Sequence, residues 1–421
     1  MSDNTDNSQF NPDELVPPKW LNKNFITEVL RNNEMSPQLE VNELNVSPVC
    51  LNGEHCASLM FRAKVKYSTG KGDFEKSLIV KTEPEEEGEK KSFIGTSHIF
   101  KTEVRMYSEV LPEFERILRQ AGDRTKLCAD CLYYSLEPNQ VLVFEDLAED
   151  GYFMLKDREA TLDEIQRAYF KIAKMHAASL KVQQEKPDFL KGLNYGLFEL
   201  PNSMEKPFLD FGFSCFMELL NEEPELNKYK PYFEGIAANF QQGLKEEWQE
   251  LRDNPRNDQY WVLCHGDVHL RNMMFKYQKG SFEDCLLVDF QFTSLFPLTM
   301  DMVYSIYQLL EPTYRWKHWE DMMNYYFSVF EDALKKIGYK GEMPTHTGFW
   351  QRLQKPSYFE FFLMTIYLPM IPAFRDKGTD LGEILKSKEE RKKLYFVQEY
   401  VKEVKTLLAR FEKMGYYQVK I

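Results

Sequence analysis

The sequence predicts an α+β protein of two lobes, a small antiparallel β lobe followed by a large, mainly helical one. Three observations predict it. Between Val46 and Lys81 apolar residues alternate or run in short blocks bounded by turn residues, which is strand patterning. From Thr161 onward they recur every three or four positions, which is helix patterning. The length of 421 residues suits two packed lobes or one large domain, taking about 100–200 residues per domain. The division expected is a tail at 1–22, an N-terminal lobe at 23–146 and a C-terminal lobe at 147–421.

The tail is polar and ends at Pro17-Pro18. Asn24 to Arg31 reads as the first helix. Ser58 to Tyr67 alternates in part, Ser68 to Asp73 is a turn-rich insert, and Ser77 to Lys81 is a short buried strand. Glu83 to Lys91 is a charge run, read as a solvated loop. Ile99 to Leu111 reads as an amphipathic helix with Phe100, Glu103, Tyr107 and Val110 on one face. Val141 to Phe144 is a further strand, ending in Glu145-Asp146-Leu147, with Gly151 loosening the chain just beyond.

The helical lobe opens on a capping box, Thr161 with Glu164. Ile165, Tyr169, Ile172, His176 and Leu180 follow as one apolar stripe. Further helices are expected at Tyr304–Leu310, Trp319–Ile337, Tyr358–Ile371 and Ser387–Met414.

Composition narrows the function classes. Hydrophobic residues at 43% and charged residues at 28% suit a folded globular chain rather than a disordered one. The net charge of −13 opposes general binding to nucleic acid or anionic lipid. The seven cysteines are scattered, and the first residues lack an export signal. The reading is reduced thiols in a cytoplasmic protein. The most apolar stretch, Phe361 to Phe374, is 14 residues long and holds Pro369 and Pro372. A membrane span needs about 20 apolar residues, so this is a buried core segment.

The chemistry concentrates in one region. Trp261 to Cys264 runs into the polar loop His265-Gly266-Asp267 and out again through Asn272 to Phe275. A second strand, Cys285 to Val288, then ends in Asp289-Phe290-Gln291. Phosphoryl transfer to a hydroxyl needs this set: a carboxylate to orient the nucleophile and take its proton, and hard oxygen ligands for Mg²⁺ on ATP. Asp267 followed five residues later by Asn272 has the spacing of kinase catalytic loops.

Upstream, Lys81 ends a buried strand, where a lone lysine calls for an anionic partner. Glu103, on the apolar face of its helix, is the candidate. A Lys–Glu pair of this kind places the lysine on the α- and β-phosphates in kinases. The turn Leu51 to Ser58 sits where a phosphate-covering loop belongs. It holds one glycine, so the phosphates rely on backbone N–H groups and the Ser58 hydroxyl.

These pieces together resemble the ecdysteroid-kinase-like family of insects, a branch of the aminoglycoside phosphotransferase and choline kinase group. The matching motifs are LIVKTEP, FKTEVRMY, FEDL, IAKMHAASL, HGDVHLRNMMF and LLVDFQ, which span Gly53 to about Asp301. DFQ differs from the DFE of choline kinases and from the DFG of protein kinases, and no APE segment follows.

The resemblance implies a protein-kinase-like fold and ATP- and Mg²⁺-dependent phosphorylation of a small lipophilic alcohol such as an ecdysteroid or xenobiotic. It implies Asp267 as catalytic base, Asn272 and Asp289 as Mg²⁺ ligands, and Lys81 with Glu103 as the phosphate-positioning pair. Glu145 to Leu147 would offer backbone groups to adenine. His269 stands where family members usually carry Trp.

Blander roles are open for several residues. His176 and His265 suit buried hydrogen-bonded supports of the loop, and Asp301 an anchor behind it. Lys81 and Glu103 suit a structural ion pair, and Ser58 an ordinary turn hydroxyl. His265 and His269 lack a third metal ligand, and Cys128 and Cys131 lack a second CxxC. Phe211, Phe213, Phe216, Tyr307, Phe359 and Phe362 are candidates for an apolar acceptor cleft. Two competing functions remain: a non-catalytic ligand carrier on a kinase scaffold, and a metal-dependent phosphoesterase. The expected partner is a small molecule, with no nucleic acid and no membrane segment, on a monomer or weak oligomer.

Overall fold

The computed structural model describes residues 13, 15–49, 58–86, 91, 98–155, 158–199, 206–255, 259–375, 383–384 and 387–418. The expected phosphate-covering turn at 51–57, Cys50, Cys56 and the first 12 residues lie outside them. Residues to Glu113, with Lys126–Phe153 and Met274–Gln291, form one unit; Phe114–Thr125, Met154–Met273 and the chain from Phe292 form the other.

The first unit is built on a five-stranded antiparallel sheet. Its strands are β1 (Glu40–Pro48), β2 (Leu59–Thr69), β3 (Gly72–Thr82), β4 (Cys131–Ser135) and β5 (Val141–Glu145), in the order β1-β2-β3-β5-β4. Alternate residues of β2, namely Leu59, Phe61, Ala63, Val65 and Tyr67, are buried, as a two-residue period requires. They pack with Leu78, Val80, Val141 and Val143 and with Ile26, Val29 and Leu30 of α1 (Lys23–Asn33). Each fully buried side chain of this kind contributes roughly 1.5–3 kcal/mol. Asn22 caps α1 by accepting from the Asn24 and Phe25 amides.

The turn-rich insert expected at 68–73 is instead a tight hairpin, with Ser68 opposite Asp73 and Thr69 opposite Gly72. The Ser68 hydroxyl donates to Asp73 Oδ1 at 2.6 Å and ties the two strand ends together. On β3 the same alternation puts Leu78 and Val80 on the core face and Lys81 on the other.

The expected helix from Ile99 is present as α2 (Ile99–Arg105), but it continues as a π-helical turn, Met106–Val110. Phe100, Glu103, Tyr107 and Val110 are all buried. The Tyr107 ring packs edge-on against Phe144 at 4.6 Å and Phe290 at 5.4 Å. A helix α3 (Leu111–Gln120) follows, its residues from Phe114 counted in the second unit. A second sheet, β6 (Tyr152–Phe153), β8 (Met273–Gln278) and β9 (Ser281–Leu287), completes the unit. Lys279 and Gly280, both at positive φ, turn β8 into β9 in the manner of a type I′ hairpin.

The second unit is mainly helical. Its helix α4 (Leu162–Glu185) starts on the expected capping box, with both Thr161 and Glu164 bonds formed. β7 (Trp261–Cys264) pairs antiparallel with β10 (Ser294–Pro297). Helices at Lys206–Glu222, Lys230–Ala237 and Phe240–Asp253, here α5 to α7, precede β7. α8 (Thr299–Gln308) starts five residues before the expected Tyr304, and α9 (Pro312–Lys336) starts at a proline, which suits a first helical turn.

The apolar stretch after Tyr358 is buried core, as expected: Phe361, Leu363, Met364 and Ile366 are fully enclosed. It is not one helix. An α-turn, a π-turn and a 3₁₀ turn succeed one another before Ile371, with Pro369 inside the 3₁₀ turn. The segment expected as one helix from Ser387 is two, Lys388–Tyr395 and Gln398–Lys413. Among the described residues no helix is long and apolar enough to cross a membrane.

Candidate active site

In the first unit the end of β3, the middle of α2 and the chain after β9 converge. Lys81 Nζ lies 2.6 Å from Glu103 Oε2 and 2.9 Å from Asp289 Oδ1. Lys81 and Glu103 are buried; Asp289 is partly open. Asp289 adopts a φ of 66°, in the left-handed region that few residues other than glycine occupy, although Asp tolerates it better than most. Such backbone strain persists where the surroundings enforce it. Gln291 Nε2 donates to Asp289 Oδ2 at 3.3 Å.

Burial opposes the charge on Lys81, but Asp289 and Glu103 more than offset it and hold the ammonium above its ordinary value. Burial lifts the Glu103 carboxyl to about 7 against the pull of Lys81, and the neighbouring Asp289 charge adds to the lift. One ammonium faces two carboxylates, so the group carries surplus negative charge that a cation beside Asp289 would offset. The donor set therefore fits a hard metal ion.

The connector after β5 is held by its own side chains. Glu145 Oε1 accepts from Lys126 Nζ at 2.6 Å and the Asp130 amide at 2.8 Å. Asp146 accepts from Arg62 Nε at 2.6 Å and Ser77 Oγ at 2.7 Å. Burial would raise the Asp146 pKa, but Arg62 and Ser77 hold it below the usual range. Leu147 is buried. The side chains of 145 and 146 are used within the fold, so main-chain groups are what this segment can present to a ligand. Ser58 is buried at the entrance to β2.

In the second unit the loop after β7 carries Asp267 and Asn272, both buried. A 3₁₀ turn, Leu270–Asn272, brings Asn272 back onto Asp267. Asn272 Nδ2 donates to Asp267 Oδ2 at 2.9 Å and to the Asp267 carbonyl at 3.0 Å. That use of the amide nitrogen leaves the Asn272 amide oxygen as the acceptor end, a hard oxygen of the kind that would fit a metal ion such as Mg²⁺. His269 Nε2 lies 3.3 Å from Asp267 Oδ2. The Tyr304 hydroxyl donates to Asp267 Oδ1 at 2.6 Å. Burial would raise the Asp267 pKa, but His269, Tyr304 and His265 hold it well below the usual carboxylate range.

The loop is tied to α8. Asp301 Oδ2 accepts from the His265 amide at 2.7 Å, and Oδ1 from the Gly266 amide at 2.9 Å. His176 Nε2 lies 3.1 Å from Asp301 Oδ2, and its Nδ1 2.7 Å from the Tyr326 hydroxyl. The structure thus gives His176 and Asp301 supporting places behind the loop. Cys264 lies within reach of the same two residues, but its thiol donates to the Phe296 and Pro297 carbonyls. Gly266 sits at φ +82°, and a Cβ there would meet the Phe292 carbonyl oxygen at 2.3 Å. Only glycine fits.

A small apolar cavity beside this loop is lined by Phe198, Trp248, Phe296, Phe359, Tyr304 and Gly266. Of the aromatic residues expected around an acceptor, Phe359 lines it. Phe362 packs behind it on Phe198 at 5.0 Å, and Phe213, Phe216 and Tyr307 are buried core.

The structure brings together Lys81, Glu103 and Asp289 in the first unit and Asp267 and Asn272 in the second. Sequence reasoning missed Tyr304 and the Arg62–Asp146 pair. A signal existed for Tyr304: it lies three residues after Asp301 on one helix, hence on the same face.

A family model described as the ecdysteroid kinase-like family matches residues 52–339. No curated protein sequence matches the chain significantly. Solved structures similar to it include a spectinomycin phosphotransferase in complex with ADP and spectinomycin, at 12% identity and a TM-score of 0.43, covering 92% of this chain and 98% of that one. Another is the choline kinase LicA of Streptococcus pneumoniae, at 13% identity and a TM-score of 0.40, covering 88% and 96%.

Proposed function

The chain belongs to the ecdysteroid kinase-like family, and from that premise we propose that it is an ATP- and Mg²⁺-dependent kinase acting on a hydroxyl of a small lipophilic alcohol. The observation that carries the reading is the buried Lys81–Glu103–Asp289 group. A structural ion pair needs one acid for one lysine. A second carboxylate at a strained, partly open position suits a nucleotide–metal site.

In this reading Lys81, held by Glu103, contacts the α- and β-phosphates. Glu145 to Leu147 offer main-chain groups to the base, and Ser58 lies at the edge of the phosphate-covering turn. The Asn272 amide oxygen and the Asp289 carboxylate are the hard oxygens that would hold Mg²⁺, and the ion would supply neutralisation of charge on the phosphates. Asp267 orients the acceptor hydroxyl toward the γ-phosphorus. The acceptor O–P bond forms, the bond from the γ-phosphorus to the ADP oxygen breaks, and the hydroxyl proton passes to Asp267. A weakly basic carboxylate suffices, because in a loose transition state positioning outweighs proton abstraction. The net charge of −13 favours a neutral acceptor over an anionic one.

The test is Mg²⁺-dependent ADP release with ATP and a panel of ecdysteroids, other sterols, plant phenolics and glycosides, choline and aminoglycosides. ADP release stimulated by one lipophilic class supports the reading. Mg²⁺–ATP binding with no acceptor-stimulated release would favour a ligand carrier. No nucleotide binding at all would overturn the roles given to Lys81, Asn272 and Asp289.

A further inference from the structure

We propose that Tyr304 is a positioning residue for Asp267, fixing which carboxylate oxygen and which direction are offered to the acceptor hydroxyl. The inference rests on the kinase reading above and adds to it a residue that the motif does not contain.

A carboxylate offers about four lone-pair sites, two on each oxygen. On Asp267, Oδ2 faces two donors, Asn272 Nδ2 at 2.9 Å and His269 Nε2 at 3.3 Å. Oδ1 faces one, the Tyr304 hydroxyl at 2.6 Å. Among the described residues, one lone pair on Oδ1 remains for the acceptor. Without the tyrosine hydroxyl the carboxylate would be held at one oxygen only and could rotate about its last torsion.

Tyr304 is itself fixed. It is buried on α8, one turn beyond Asp301, which holds the His265 and Gly266 amides. One helix face therefore grips both the main chain of the loop and its carboxylate. Behind it, Tyr367 is hydrogen-bonded to Tyr304. Burial, then the adjacent Asp267 charge, keeps Tyr304 a neutral phenol, well above the ordinary tyrosine value. It stays a donor and does not compete with Asp267 as the base. Tyr304 also lines the apolar cavity, so the side chain that aims the base forms a wall of the space beside it.

The test compares wild type, Tyr304→Phe and Tyr169→Phe. Tyr169 loses an equally buried hydroxyl, one that meets Ser305 Oγ at 3.0 Å and has no place in the site. The readouts are kcat and KM for ATP with the acceptor found active, ATP hydrolysis without acceptor, and thermal melting. Tyr304→Phe is expected to lower kcat roughly tenfold to a hundredfold with KM for ATP unchanged, the size of a small misplacement of a reacting group. Tyr169→Phe is expected to lower stability alone.

A Tyr304→Phe kcat within twofold of an active wild type overturns the inference and leaves the kinase reading standing. A wild type that neither hydrolyses ATP nor phosphorylates any alcohol overturns both. Should Tyr304→Phe fail to fold, Tyr367→Phe takes its place. It removes only the hydroxyl behind Tyr304, and it is expected to lower kcat in the same sense by a smaller factor. An unchanged kcat there overturns the inference.

Discussion

Lys81 Nζ lies 2.6 Å from Glu103 Oε2, and the two side chains are 7% and 2% exposed. Burying such a pair gains little stability by itself, because desolvation offsets most of the attraction. Function is the better reason to keep it. Lys81→Met is expected to fold and to lower kcat/KM for ATP by about 10²–10³, the loss seen when a donor to a developing charge is removed. Glu103→Gln, which leaves Asp289 beside the lysine, is expected to cost less. Steady-state kinetics with circular dichroism on both variants checks this.

Asp301 accepts two loop amides and meets His176. Asp301→Ala leaves those buried groups unsatisfied. With each hydrogen bond to a charged group worth about 1.5–3 kcal/mol, the variant is expected to lose about 3–5 kcal/mol. Denaturant unfolding measures it directly.

Gly266 combines a φ of +82° with a neighbouring carbonyl at 2.3 Å from any added Cβ. Gly266→Ala is expected to shift the loop, cost at least about 1 kcal/mol from the backbone alone, and reduce kcat through the displaced Asp267. A variant with wild-type kcat would show that the loop tolerates the shift.

Glu360 is buried with the hydroxyls of Tyr307 and Tyr416 on its two oxygens. Burial raises its pKa above the ordinary 4.5, with Arg410 and the two tyrosines acting the other way. The folded state thus binds this proton more tightly than the unfolded chain. Stability from this group is fully present below its unfolded pKa and is lost as pH rises through its folded one. The stability of Glu360→Gln relative to wild type is therefore expected to rise between pH 5 and pH 8. Denaturant melts at the two pH values check the sign.

The sequence made some of this legible for identifiable reasons. Asp267, Asn272 and Asp289 lie close along the chain at strand ends, so their ordered pattern singles them out as candidates. Lys81 and Glu103 stood out because each is a charge on an apolar face. Tyr304 was overlooked because its partner is 37 residues away and a tyrosine on an apolar helix face equally suits the core, as Tyr307 on the same helix does. Arg62 and Asp146 are 84 residues apart, and their meeting follows from placing β5 next to β3, which no local pattern specifies. The π-turn at Met106–Val110 was invisible because the burial of Phe100, Glu103, Tyr107 and Val110 is what a regular helix would also give.

The most direct test of the central claim is transfer of the labelled γ-phosphate from ATP to a lipophilic alcohol by wild type and by Asp267→Asn, with Mg²⁺–ATP binding measured on both. The account predicts labelled alcohol from wild type, its loss in Asp267→Asn, and nucleotide affinity nearly equal in the two. Undiminished transfer by Asp267→Asn would contradict it.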